Sequence, residues 1–167
     1  YIVRASREGV LFLDKKGQEV MAESATFVEP VIKVNGKYLL VADIGGREYY
    51  LFKDGKLQRK HRSNQEIYNC DLDKNGFVTL VTASNRYVSE VNVIDNYGIE
   101  MFKSVIANDY AISAKISPSG RQMAITGIST TGTQANSFIK FLDMTGVELS
   151  GAAINPQMGL APIIFYA

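Results

Sequence analysis

The chain has 167 residues, 46% of them hydrophobic, which is enough apolar surface for one folded domain and argues against disorder. Eighteen Lys and Arg against seventeen Asp and Glu leave a net charge of +1, so nothing in the bulk electrostatics draws the chain to nucleic acid or to an anionic membrane. Cys70 is the only cysteine, which excludes an intrachain disulfide, and no apolar run approaches the roughly 18 residues that span a bilayer.

The chain opens on an alternating stretch, Tyr1-Ile2-Val3-Arg4-Ala5-Ser6, and then a turn marked by Asp14 and Gly17. Val31 to Asp43 follows, two apolar runs about Asn35-Gly36, and after it a second turn at Asp54-Gly55. The same grammar returns at Cys70 to Ser84 about Asn75-Gly76, followed by Asp95 and Gly98, and again at Ala114 to Ser129 about Ser119-Gly120, followed by Asp143 and Gly146. These are hairpins in pairs; at the Asn-Gly sites a type I′ turn is expected, since Asn and Gly both tolerate positive φ. Nothing has apolar spacing at i, i+3, i+4 over a helical length, and runs such as Tyr38-Leu39-Leu40-Val41-Ala42 are short and β-rich.

Gly17, Gly55, Gly98 and Gly146 are 38, 43 and 48 residues apart. That period suits the blade of a β-propeller, a four-stranded antiparallel sheet of about 40–50 residues that cannot bury both faces without neighbours. We therefore expect an all-β propeller of about four blades, at approximately 1–25 with 161–167, 29–61, 67–104 and 112–150. The first is divided between the ends: Tyr1 to Ser6 aligns with the second strand beginning at Tyr38, and Ala161-Pro162-Ile163-Ile164 with the first strand at Glu29-Pro30-Val31-Ile32. Closure within one chain gives a small ring; closure between two chains gives one of about eight blades, as a homodimer; a third reading makes the chain, which begins at Tyr1, a half excised from a longer propeller.

The stretch Ile116-Ser117-Pro118-Ser119-Gly120-Arg121-Gln122-Met123-Ala124 resembles the Ser-Pro-Asp-Gly-Lys blade motif of periplasmic and tricorn-type propellers, with Ser119 and Arg121 in place of Asp and Lys. The whole chain also resembles an uncharacterised propeller-like family of Gram-positive bacteria. That resemblance implies the fold and an extracytoplasmic location beside a membrane anchor, and it implies no activity. The absence of Trp sets the chain apart from WD-repeat and quinoprotein propellers, and no cofactor is expected.

Asp71, Asp73 and Asn75 match the first half of a calcium loop, but Thr82 stands where such a loop places its bidentate Glu, and a hairpin turn accounts for them better. His61, the only histidine, sits in a polar run that reads as solvated, and Cys70 sits at a strand position suited to a small buried hydrophobe. Asp14, Asp95 and Asp143 recur at equivalent turns, where Asp accepts bonds from its own turn's amides. The chain is therefore read as non-catalytic, with a carboxylate-dependent hydrolase or lyase acting in the central channel, or a self-assembling structural module, as the alternatives.

In each blade the first-to-second and third-to-fourth strand turns are tight, whereas the second-to-third connections and those between blades vary, and variable loops on a rigid frame are where recognition sits. The candidate partner-binding residues are Arg59, Lys60, His61, Arg62, Ser129, Thr130, Thr131, Gln134 and Asn136, facing a protein or glycan. A competing account of the basic run is that Lys and Arg on an outermost strand blunt edge-to-edge pairing.

Overall fold

The computed structural model describes residues 1–130 and 135–154, and among them there is no helix. Four antiparallel meanders follow one another. The first is β1 (Ile2–Ser6), β2 (Gly9–Leu13) and β3 (Glu19–Ser24); the second is β4 (Glu29–Asn35), β5 (Tyr38–Ile44), β6 (Glu48–Lys53) and β7 (Lys56–Arg62). The third is β8 (Ile67–Leu72), β9 (Val78–Thr82), β10 (Ser89–Ile94) and β11 (Glu100–Ile106); the fourth is β12 (Asp109–Ile116), β13 (Gln122–Ser129), β14 (Asn136–Asp143) and β15 (Glu148–Ile154). The chain is thus all-β with about four blades. The strand expected from Ala161 to Ile164 to complete the first blade lies outside the described residues.

The strand period of two divides each central strand between two neighbours. In β5, Leu39 and Val41 pack with Val10, Phe12 and Phe27 toward the first blade, while Tyr38, Leu40 and Ala42 pack with Cys70, Leu72, Val78 and Leu80 toward the third. In β6, Tyr50 and Phe52 face the first blade, and Tyr49 and Leu51 the third. A third core joins Val81, Val91 and Val93 to Met123, Ile125, Phe138 and Leu142 of the fourth blade. Both faces being covered explains why β9 is buried throughout and β5 from Tyr38 to Asp43, the large apolar side chains each contributing about 1.5–3 kcal/mol on burial. Four blades share three cores; among the described residues none joins the fourth blade to the first, and β15 is exposed from Glu148 to Ala153.

Adjacent blades are also stitched by hydrogen bonds. Ile44 and Ile67 form a single parallel bridge, with Gly45 N–H donating to the Ile67 carbonyl at 2.9 Å and Ile67 N–H to that of Gly46 at 2.8 Å. Asp43, buried at the end of β5, accepts from the amides of Val28 (2.6 Å) and Glu29 (2.9 Å) and so fixes the entry into the second blade. Thr79 Oγ1 donates to the Ala114 carbonyl at 2.8 Å, and Ser89 Oγ accepts from Ala111 N–H at 2.9 Å.

The turns correct one expectation. Both central residues have positive φ only at Asp54-Gly55 (51° and 75°), which is therefore the type I′ turn. At Asn35-Gly36 the strands pair through Asn35 and Tyr38, so the loop is Gly36-Lys37 with only the glycine at positive φ, a type II′ turn. At Asn75-Gly76 the carboxylate of Asp73 decides: Oδ1 accepts from the amides of Asn75 and Phe77, both at 2.8 Å, and Gly76 at φ 86° closes a three-residue loop. Asp14, Asp95 and Asp143 accept from their own turns in the same i+2, i+4 pattern, so their recurrence is turn chemistry.

Candidate functional site

Chemistry-bearing side chains gather in two places, the outer strand β7 and the channel wall formed by the first strands of the blades. Along β7, alternate residues serve opposite neighbours. Lys60 forms an ion pair with Glu23 of the first blade, and its Nζ lies 5.3 Å from the centroid of the Tyr50 ring. Arg62 approaches Glu48 at 3.6 Å. His61 stacks on its cross-strand partner Tyr49, with ring centroids 5.0 Å apart and planes 14° from parallel. On that same side Gly98, the third blade's turn glycine, lies so close that a Cβ there would stand 2.2 Å from His61 Cε1 and 3.4 Å from Arg59 Cδ.

This packing lowers the His61 pKa, first through burial and then through the adjacent Arg59, which favours the neutral ring. Burial, reinforced by Glu100, pushes the Tyr49 hydroxyl up to about 12, and burial together with a hydrogen bond to Glu48 does the same for Tyr50. Much of the basic run is thus engaged within the fold.

Beside it, a cleft of about 180 Å³ runs between the second and third blades, from Arg62, Ser63, Asn64 and Gln65 to Glu90, Asn92 and Lys103. Its floor is ordered: Lys103 Nζ lies 3.1 Å from Glu90 Oε2, Ser84 Oγ donates to Glu90 Oε1 at 2.8 Å, and Asn92 Nδ2 donates to Thr82 Oγ1 at 3.2 Å. Of the expected partner-binding residues, His61 and Arg62 line this cleft. Ser129 and Asn136 are register partners on the fourth blade, with Thr130 exposed beyond them, so the two expected patches are separated by the third blade. Thr131 and Gln134 lie outside the described residues.

The second place joins Asp71, already a candidate from the sequence, to two lysines that the sequence reading passed over. Lys33, Asp71 and Lys115 occupy the same position in three successive blades, each the register partner of a second-strand residue, Leu40, Thr79 and Ala124 respectively. They line a cavity of about 490 Å³ together with Asn35, Asp73, Lys74 and Ser117. Lys115 Nζ lies 3.6 Å from Asp71 Oδ1. Burial raises the Asp71 pKa above the usual carboxylate range, against the pull of Lys115, the Leu72 amide and Lys33.

Asp71, Asp73 and Asn75 do not act as one ligand set. Asp73 gives Oδ1 to its turn and Oδ2 to Asn75 Nδ2 at 3.0 Å, while Asp71 faces Lys115. Among the described residues no three His, Cys, Asp or Glu side chains are grouped to hold a metal ion, and no helix is long and apolar enough to cross a membrane. Cys70 is buried in the core behind Asp71, and burial pushes its thiol up to about 12, far from the thiolate a nucleophile needs.

The fold is shared with much larger solved propellers. The hydrazine synthase of Kuenenia stuttgartiensis superposes with a TM-score of 0.63 at 15% identity, over 90% of this chain and 44% of that one. The Pan2 WD40 domain of Neurospora crassa gives 0.60 at 11% identity, over 92% and 49%. BBS1N, solved in complex with ARL6DN, gives 0.59 at 13% identity, over 92% and 46%. The chain spans about half the length of each, and identities this low speak for the propeller-like fold alone. A comparison with curated proteins finds no match. Residues 1–153 match one family model throughout, and the chain belongs to that family, the family of unknown function DUF5711.

Proposed function

We propose that the chain is a non-catalytic binding or scaffolding segment that forms half of a larger propeller and holds a protein or glycan partner on the side of its longer connections. The observation that carries this reading is the stack itself: four blades with three shared cores, aligned to a little under half the length of each larger chain. The outer faces of the first and fourth blades then meet a second set of blades, most simply another copy, since a second set supplies the contacts that a fourth core would.

Recognition is assigned to the cleft at Arg62 to Gln65 and to the connection carrying Ser129, Thr130 and Asn136. Their polar groups sit on a frame fixed by the buried cores, and the tight turns on the other side have their carboxylates absorbed by their own amides. Among the propeller neighbours, BBS1N was solved in complex with ARL6DN, a precedent for binding on this fold. A hydrolase or lyase reading is less well supported, because the equivalent channel positions carry Lys33 and Lys115 around the single carboxylate of Asp71.

The test is capture of a partner from lysate of the source organism, or retention on a glycan array, with R62E/N64E and T130E/N136E variants beside the unmodified chain. Loss of a specific ligand with an unchanged Tm supports the reading. Capture that survives both variants refutes it.

A further inference from the structure

We propose that the channel mouth bounded by the tight turns of the second, third and fourth blades binds a small oxyanion, the phosphate or carboxylate group of a low-molecular-mass ligand. The cavity of about 490 Å³ falls in the range that holds small metabolites, and it lies among the first strands rather than in the cleft assigned above to the partner.

The case rests on which charges are already spent. Three lysines, Lys33, Lys74 and Lys115, line the cavity against two aspartates. Asp73 is no counter-ion for them, because Oδ1 accepts two backbone amides and Oδ2 the Asn75 amide group. Asp71 alone faces the lysines. At 3.6 Å its contact with Lys115 is longer than a well-formed charge-assisted hydrogen bond, and its carboxylate is partly desolvated. Among the described residues Lys33 and Lys74 have no ion-pair partner within 4 Å.

The site therefore carries one more ammonium group than Asp71 and Asp73 together can balance, set in a concavity whose low-dielectric walls concentrate the field. An oxyanion placed between Lys33 and Lys115 would accept from both and draw Lys74 down from the turn. Other polar groups of the lining are partly engaged: Asn35 Nδ2 donates to the Leu72 carbonyl at 3.1 Å, and the Ser117 hydroxyl pairs with that of Ser119 at 3.0 Å. The ammonium groups are then the principal groups to recognise the ligand.

The experiment is calorimetric titration with inorganic phosphate and, separately, with succinate, at ionic strength held constant with chloride. Saturable binding of either is expected, and the tighter of the two identifies the group. Removing both flanking charges in K33Q/K115Q should weaken it by roughly tenfold or more, the loss of at least one charge-assisted contact. D71N, which removes the competing carboxylate, should strengthen it, and this variant keeps the proposal testable if the double variant fails to fold. No saturation with either anion, or affinities unchanged in K33Q/K115Q and D71N, would overturn the proposal.

Discussion

The outer strand β7 and the channel wall carry similar charges and use them in opposite ways. On β7 the basic residues are consecutive, and the fold engages Lys60 against Glu23 and His61 between Tyr49 and the Gly98 turn, while Arg62 stays exposed beside Glu48. In the channel Lys33, Asp71 and Lys115 lie far apart in sequence and converge because each blade offers the same position to the same axis. A run of charge along one strand alternates between two neighbours and is satisfied by them. A charge recurring at one blade position is concentrated instead.

Five variants test this contrast. The largest effect belongs to G98A: a left-handed φ of 87° and a Cβ 2.2 Å from His61 together should cost about 2–4 kcal/mol in urea denaturation, and a loss under about 0.5 kcal/mol would mean that the third blade does not lean on β7. His61 comes next. Its folded pKa lies below 6.5, so the unfolded chain gains a proton first as the solution is acidified; stability should be full above pH about 6.5 and decline below it, and H61Q should lack that component in a pH series of Tm.

In the channel, D71N should raise Tm slightly at pH 7, because the fold holds this carboxyl above its unfolded pKa. The gain should vanish near and below about pH 3.8, where the folded and unfolded carboxyls are both protonated; a Tm loss at pH 7 would show that the Lys115 contact outweighs burial. The smallest effect belongs to K60Q and R62Q, whose exposed ion pairs should each be worth about 0–1 kcal/mol and less at high salt.

Much of this architecture was legible in the chain. The spacing of Gly17, Gly55, Gly98 and Gly146 marks the blades, and the third blade, expected from about residue 67, opens with the strand Ile67–Leu72. The turn types were less legible, since Asn-Gly by itself does not say whether an Asp two residues earlier will capture the amides, as Asp73 does at Asn75. The basic run stood out because adjacent letters are easy to see. Lys33 and Lys115 did not, because their correspondence emerges only when strands are aligned by register, through Leu40, Thr79 and Ala124.

Whether these four blades are half of a ring can be read by light scattering on a sizing column with the purified 167-residue chain. A particle of twice 18.4 kDa is expected, as two arcs cover each other's outer faces. A stable monomer of 18.4 kDa with a cooperative melt would contradict it, and would place closure within the chain itself.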